Sequence, residues 1–133
     1  GYIGKQTVKK MIAAGISPIG ARVLVLGITF KENVADIRNS KVADIIKELK
    51  SFSVSVDVID PQADPQRVLQ EYNIETTAKP SGKYQAVIAA VSHKEYVNLT
   101  QEDFDNLLVP NGVLIDIKGN YKGKISKYSY WSL

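Results

Sequence analysis

The sequence predicts an α/β fold, a three-layer α/β/α sandwich with a mostly parallel five-stranded sheet, Rossmann-like in outline. Short apolar runs alternate with amphipathic segments along the 133 residues. Two of the runs, RVLVLG and QAVIAAV, are continuously apolar after their first residue, as expected of strands that are buried on both faces. Strands separated by helices pair in parallel through right-handed crossovers, which gives this architecture.

The first half of the chain supplies two helices and two strands. Apolar residues at helical spacing predict a helix over residues 3–14, and Gly15 is a typical helix stop. Residues 22–27 form the first strand. Ser40 can cap a second helix, whose core-facing residues are Val42, Ile45, Ile46 and Leu49. Residues 54–59 alternate apolar and polar side chains and form the second strand.

The second half continues the alternation. Asp64-Pro65 begins a helix whose inward residues are predicted to be Val68, Leu69 and Tyr72. Strands follow at 74–77, 85–91 and 113–117, with a helix opened by Thr100 before the last of them. Residues 110–112 (PNG) are predicted to turn the chain into that strand. The tail, residues 119–133, is rich in Lys and Tyr.

Composition restricts the possible functions. The 17 Lys and Arg against 14 Asp and Glu give a net charge of only +3, in short clusters at residues 9–10 and 122–127. This pattern indicates a solvated face more than a nucleic-acid site. The absence of cysteine excludes disulfides, thiolate metal sites and a cysteine nucleophile within this sequence. No His/Asp/Glu cluster has metal-ligand spacing. No apolar run approaches the roughly 20 residues that span a bilayer, and no signal peptide is visible. We therefore expect a cytoplasmic domain without a metal, nucleic-acid or membrane partner.

The loop after the first strand contains the strongest functional signal. It lacks the G-x-G-x-x-G of a dinucleotide site, so contacts to an anion should come from side chains. Lys31 offers a point charge, Arg38 offers a planar fork for two phosphate oxygens, and Phe30 can pack on a ring or on its own core. The alternative is that both cations pair on the surface with Glu32, Asp36 and Asp44. The residues alone give the two readings equal weight.

Other polar residues after the strands have weaker functional signals. Asp60 ends the second strand as a ribose-binding carboxylate does, but Pro61 and the missing glycines favour a turn-initiating role. His93 could touch a ligand, although a surface or helix-capping role is the commoner case. Ser92 has no neighbouring base and suggests no catalytic triad. The aromatic tail could stack on bases, but docking on its own domain is commoner.

Four segments carry a recognisable family pattern: residues 30–40 (FKENVADIRNS), which match F-K…D-x-R-x-S, residues 58–61 (VIDP), residues 89–96 (AAVSHKEY) and residues 114–119 (LIDIKG). They resemble the C-terminal, UDP-binding domain of the UDP-glucose/GDP-mannose dehydrogenase family. The resemblance covers nearly the whole chain. DIKG and the YWSL ending are more similar to the branch that acts on UDP-N-acetylhexosamines. The opening helix resembles the end of the family's interdomain helix, so residues 1–20 would be that helix and a linker, and 21–133 the nucleotide-sugar-binding domain.

The resemblance implies roles for individual residues. Phe30 and Lys31 would contact the nucleotide sugar. Arg38 would contact NAD across an interdomain cleft. Lys118 occupies a position near the substrate where the family often has Arg, and a lysine lacks the bidentate fork.

The resemblance also implies the activity of a larger enzyme. Such an enzyme oxidises the C6 alcohol of a UDP-sugar to a carboxylate with NAD, through intermediates bound to a cysteine, for surface or capsular polysaccharide precursors. NAD would be bound mainly by an N-terminal domain, and the full-length enzyme would be a homodimer. This sequence would then be a domain fragment with no catalytic residue, inactive by itself. The alternatives are a stand-alone nucleotide- or phosphate-binding regulatory module and a structural or oligomerisation domain.

Overall fold

The computed structural model describes residues 2–133; Gly1, which begins the predicted 1–20 segment, lies outside them. The elements are, in chain order, α1 (Tyr2–Ala13), β1 (Arg22–Leu26), α2 (Lys41–Ser51), β2 (Ser55–Ile59), α3 (Pro65–Tyr72), β3 (Tyr84–Ala89), α4 (Gln101–Leu107), β4 (Leu108–Asp116) and β5 (Ser129–Ser132). The strands form one sheet in the order β2-β1-β3-β4-β5, and every neighbouring pair is parallel. The predicted fold class is confirmed, and the sheet is wholly rather than mostly parallel.

The alternation of side chains along β1 divides the core between the two faces of the sheet. Val23 and Val25 belong to a large cluster that includes the buried apolar residues of α1 and α2. Leu24 and Leu26 belong to a second cluster with Phe104 of α4 and Tyr121 of the tail. Consecutive residues of a strand point to opposite faces, so each face of β1 has its own hydrophobic layer.

Two of the five strands differ from the prediction. Residues 74–77 form no strand; Ile74 is buried after the left-handed Asn73, and Thr77 N–H donates one hydrogen bond to Val58 O. This single hydrogen bond to β2 is not continued by the regular backbone pairing of a strand. The fifth strand comes instead from the tail, where residues 129–132 pair with β4. Its sequence, SYWS, has no long apolar run because β5 is a half-buried edge strand.

Two local predictions were also wrong. Leu69 was expected to face inward but is 43% exposed, whereas Val68 of the same helix is fully buried. The predicted turn at 110–112 is a bulge within β4, because the pairing with β3 passes from Tyr84–Leu108 directly to Ala86–Val113. The bulge accommodates the extra residues without ending the strand.

The strand order reverses between β1 and β3, and such a reversal leaves a crevice at the carboxyl ends of the strands. Gly27 lets the two loops that leave these strands approach closely. Its φ is +95°, and a Cβ at this position would lie 2.6 Å from Cβ of Val91. Ala90 N–H and Val91 N–H both donate to Leu26 O, which fixes this approach. No helix of residues 2–133 has the length and apolarity needed to cross a membrane.

Candidate functional site

A groove of about 440 Å³ opens at this crevice, within the size range of small-molecule sites. The loops after β1, β3 and β4 and the first turns of α2 form its walls, with contributions from α1 and the last residue of the chain. Its lining combines apolar residues with charged ones: Ile3, Thr29, Phe30, Lys31, Glu32, Asn39, Lys41, Val42, Ile45, Ala90, Val91, Ile117, Lys118 and Leu133.

Three lysines give the groove a cationic wall. Lys31 and Lys118, both predicted from the sequence, lie on the same groove although 87 residues separate them (118 − 31). Lys41 is the third, and sequence reasoning missed it. None of the three takes part in a salt bridge between residues of the described chain, and Glu32 is the one acidic side chain among the lining residues. The wall therefore carries excess positive charge and suits an anion.

An aromatic ring lies at the rim of the groove. Phe30 is 57% exposed, so it does not fill the protein core. Its backbone N–H donates to Asp36 O at 2.7 Å, which closes the loop on which the ring is carried. An exposed ring on a fixed backbone offers a face for stacking on a planar ligand.

Arg38 does not line the groove. Its guanidinium donates two hydrogen bonds to Asp36, both at 3.1 Å, and its side chain is 80% exposed. These side-chain bonds, with the backbone bond from Arg38, lower the pKa of Asp36 to about 2. The structure thus brings Lys31 and Lys118 to one groove, while Arg38 is not among the lining residues and forms the surface pair with Asp36. For Lys31 the pairing alternative does not hold among the described residues.

The loop that carries Lys118 is held by a buried carboxylate. Asp116 accepts backbone N–H groups of Asn120 and Tyr121, at 3.0 and 2.8 Å, and the hydroxyl of Tyr130. Burial, and then the bond to Asp116, raise the pKa of Tyr130 to about 12. The tail thus docks on its own domain, as the commoner reading of its aromatic residues expected.

The start of α2 adds hydrogen-bond donors beside Lys41. Ser40 is the N-cap, but its side chain makes no capping hydrogen bond, and its buried Oγ has no partner among the described residues. The first N–H groups of α2 therefore lack the side-chain acceptor that an N-cap normally provides. The sequence signal for Lys41 was available, since it directly follows a helix cap at the carboxyl edge of the sheet.

Asp60 and His93 are not among the residues that line the groove. Asp60 Oδ1 accepts the N–H groups of Gln62 and Ala63, which confirms its turn-forming role. Burial raises the pKa of Asp60, but hydrogen bonds from Ile28 N–H, His93 and Gln62 N–H outweigh this and lower it overall. The surface or helix-capping role expected for His93 is wrong, because its side chain is fully buried against Asp60.

The remaining candidates have structural partners. Ser92 Oγ accepts a hydrogen bond from Asn120 Nδ2 at 2.8 Å, which joins the loops after β3 and β4. Across residues 2–133 there is no group of three or more His, Cys, Asp or Glu side chains that could hold a metal ion. Chemically, the site offers ammonium groups, backbone N–H donors and an aromatic face, which together suit a nucleotide phosphate.

Residues 24–123 match the model of the UDP-glucose/GDP-mannose dehydrogenase family, UDP binding domain. The chain belongs to this family. The UDP binding domain is similar to UDP-N-acetyl-D-glucosamine 6-dehydrogenase of Pseudomonas aeruginosa, at 42% identity over 118 residues, which cover 88% of this chain and 28% of that protein. It is also similar to Protein CapL of Staphylococcus aureus, at 38% identity over 119 residues, or 89% of this chain and 28% of CapL. The predicted resemblance, including its N-acetylhexosamine branch, is confirmed.

Solved structures agree with the fold of the UDP binding domain. The UDP-N-acetyl-mannosamine dehydrogenase Cap5O from Staphylococcus aureus matches with a TM-score of 0.74 and 25% identity, over 98% of this chain and 30% of Cap5O. The UDP-D-ManNAc dehydrogenase from Pyrococcus horikoshii matches with a TM-score of 0.78 at 18% identity, over 97% of this chain and 29% of that one, which shows the fold alone. The chain thus spans 28% of the length of the curated relatives it matches first.

Proposed function

We propose that this chain binds the UDP part of a UDP-N-acetylhexosamine for an NAD-dependent nucleotide-sugar 6-dehydrogenase. The groove with its three lysines is the observation that carries the proposal. The names of the relatives supply the substrate class, since they include UDP-N-acetyl-D-glucosamine and UDP-N-acetyl-D-mannosamine dehydrogenases.

The groove suits each part of a nucleoside diphosphate. Lys31, Lys41 and Lys118 would neutralise the diphosphate, and the uncapped N–H groups of α2 would add donors, because a helix N-terminus favours anions. Phe30 would stack on the base. Lys118 carries one mobile point charge where an arginine would carry a planar fork. Its role would therefore be to attract the diphosphate, not to bind two phosphate oxygens at once.

The residues of this chain do not fit a dinucleotide site of their own. After Gly27 the loop continues with Ile28 and Thr29, whose side chains are buried where a glycine-rich loop would admit a pyrophosphate. The side chain of Asp60 is fully buried and already accepts four backbone N–H groups, so it cannot receive a ribose hydroxyl. NAD would therefore be bound mainly by another domain, and Arg38 would contact it from the outer side of the loop.

In the whole protein, the chemistry would take place outside this chain. The proposed enzyme has additional N-terminal and central domains, forms a homodimer and acts in the cytoplasm on precursors of surface or capsular polysaccharide. Residues 1–20 would connect the UDP-binding domain, residues 21–133, to the central domain. The part of the proposal that this chain can test is UDP binding.

Titration of the 133-residue chain with UDP, followed by amide chemical shifts, tests the proposal. Shifts should concentrate in residues 29–33, 39–42 and 117–119, the groove side of the loops. Affinity should be weak because the rest of the site is absent. Shifts confined to residues 18–22 and 51–54, at the opposite edge of the sheet, would reject the site. No shifts with UDP but strong shifts with an unrelated phosphate compound would favour a regulatory phosphate-binding module.

A further inference from the structure

Loops after β1, β2 and β3 meet at one fully buried imidazole. Nδ1 of His93 lies 2.9 Å from the backbone N of Asn33. Its Nε2 lies 3.0 Å from Asp60 Oδ2 and 3.1 Å from Thr29 Oγ1. Both the His93 and the Asp60 side chains are 0% exposed, so neither is available to a ligand.

The partners of His93 fix the direction of each hydrogen bond. A backbone N–H can only donate, so Nδ1 is the acceptor for Asn33 and the ring proton is on Nε2. Nε2–H is then shared between Asp60 Oδ2 and Thr29 Oγ1, while the Thr29 hydroxyl donates to Lys31 O at 2.9 Å. A continuous path of hydrogen bonds thus leads from the end of β2 to the backbone of Lys31.

Further bonds hold both ends of the segment 28–33. Asp60 Oδ2 accepts the N–H groups of Ile28 and Thr29, at 2.7 and 3.1 Å. Asn33, which has a left-handed φ of 59°, accepts a hydrogen bond from Lys94 N–H at 2.8 Å through its side-chain oxygen. Between these fixed ends, Phe30 and Lys31 are exposed and line the groove.

We propose that His93 is a positioning residue that holds segment 28–33 in the shape that presents Phe30 and Lys31 to UDP. It acts through Thr29 and Asn33 and never touches the nucleotide. This inference rests on the proposed UDP binding. A loop that is already ordered in the free protein loses less conformational entropy when it binds UDP, and UDP therefore binds more tightly.

Two substitutions test the hydrogen bonds of the two ring nitrogens of His93 separately. His93→Asn places an amide oxygen near Nδ1 and keeps the acceptor for Asn33, whereas His93→Gln places an amide N–H near Nε2 and keeps the donor for Asp60 and Thr29. Loss of the neutral hydrogen bond from Asn33, in His93→Gln, should weaken UDP binding by about two- to tenfold, and loss of the bond to the ionised Asp60, in His93→Asn, by about tenfold or more. Amide hydrogen exchange of Asn33 should accelerate in His93→Gln and stay slow in His93→Asn.

The control is Tyr84→Phe at the opposite edge of the sheet. Its buried hydroxyl donates to Asp57 Oδ2 at 2.6 Å and accepts Ser81 N–H at 3.0 Å, so its loss also removes hydrogen bonds from a packed side chain. Unfolding in urea measures the stability of every variant. Tyr84→Phe should lose stability without changing the UDP dissociation constant, since its contacts are remote from the groove. His93 variants that bind UDP as tightly as wild type would overturn the inference, as would an affinity loss that Tyr84→Phe reproduces.

Two further experiments distinguish a failure of this inference from a failure of the proposed function. If the His93 variants do not fold, Thr29→Val removes the hydroxyl between Nε2 and Lys31 O with little change in volume. It should weaken UDP binding in the same way, and unchanged binding would overturn the inference. Wild type that binds UDP, with Lys31→Ala weaker, establishes the proposed function whatever the His93 variants do. Wild type that shows no UDP binding would refute the proposed function and this inference together.

Discussion

Lys31→Ala should weaken UDP binding to this chain by about tenfold. Lys31 lies on the groove and has no salt bridge within residues 2–133, so its removal leaves no protein carboxylate unpaired. The loss is then the contact to phosphate alone. A hydrogen bond to a charged group contributes about 1.5–3 kcal/mol, and the exposed position of Lys31 favours the lower value, which corresponds to about tenfold in Kd.

Isothermal titration with UDP, at two salt concentrations, measures this effect. Lys50→Ala is the matched control, because Lys50 is an exposed lysine in the last turn of α2, at the opposite edge of the sheet. Affinity of the wild type should fall as salt rises from 0.05 to about 0.3 M, since the screening length shortens below about 10 Å. The difference in UDP affinity between wild type and Lys31→Ala should decrease as the salt concentration rises. Equal affinity of Lys31→Ala and wild type at low salt would refute the assignment, as would an equal loss in Lys50→Ala.

The remaining predictions concern stability and the whole enzyme. Gly27→Ala should lower the free energy of unfolding in urea by about 2–5 kcal/mol, from the left-handed backbone and the overlap with Val91; a loss below about 1 kcal/mol would contradict the close approach. The folded-state pKa of Asp60 is below its ordinary 3.8, so its ionised form stabilises the fold above that pH, and this is lost as pH falls through the lowered pKa. Asp60→Asn should therefore lose less unfolding free energy than the wild type as the pH falls through this range. An unchanged acid dependence of the unfolding free energy would exclude the Asp60 carboxylate as its cause. In the full-length enzyme, Arg38→Ala should raise the KM for NAD more than that for the nucleotide sugar; the reverse order would reject the assignment. The chain alone, which has no cysteine, should produce no NADH from UDP-N-acetylhexosamines, and sustained turnover would show that the nucleophile is not the expected thiol.

Local patterns predicted most of the fold and two of the three lysines that line the groove. Lys31 and Lys118 could be placed on one edge because parallel strands share a carboxyl edge, whatever their distance in the chain. Lys41 follows from the same rule once the N-terminus of α2 is included. The direction of Arg38 could not be deduced, since the residues alone do not decide between Asp36 and a ligand.

The two larger errors have a common physical origin in tertiary context. The surface role predicted for His93 failed because its partners, Asp60 and Asn33, are 33 and 60 residues away in the sequence. The strand β5 is short and half-buried, and it is defined by its register with β4 rather than by its own apolar pattern. The sequence pattern of a short segment shows neither which distant residues a side chain contacts nor the register of a strand with its neighbour.

The strand order determines how the sheet can grow. Before residue 84 the chain contains only β1 and β2, and β3, β4 and β5 then add one after another on the far side of β1. Until β3 arrives, that side of β1 is an unpaired edge flanked by Val23, Leu24 and Val25, all of which are fully buried in the finished domain. An open apolar edge is a template for pairing with other chains. Pieces of this domain that end before β3 should therefore aggregate, whereas pieces that include β3 gain the strand that covers this edge.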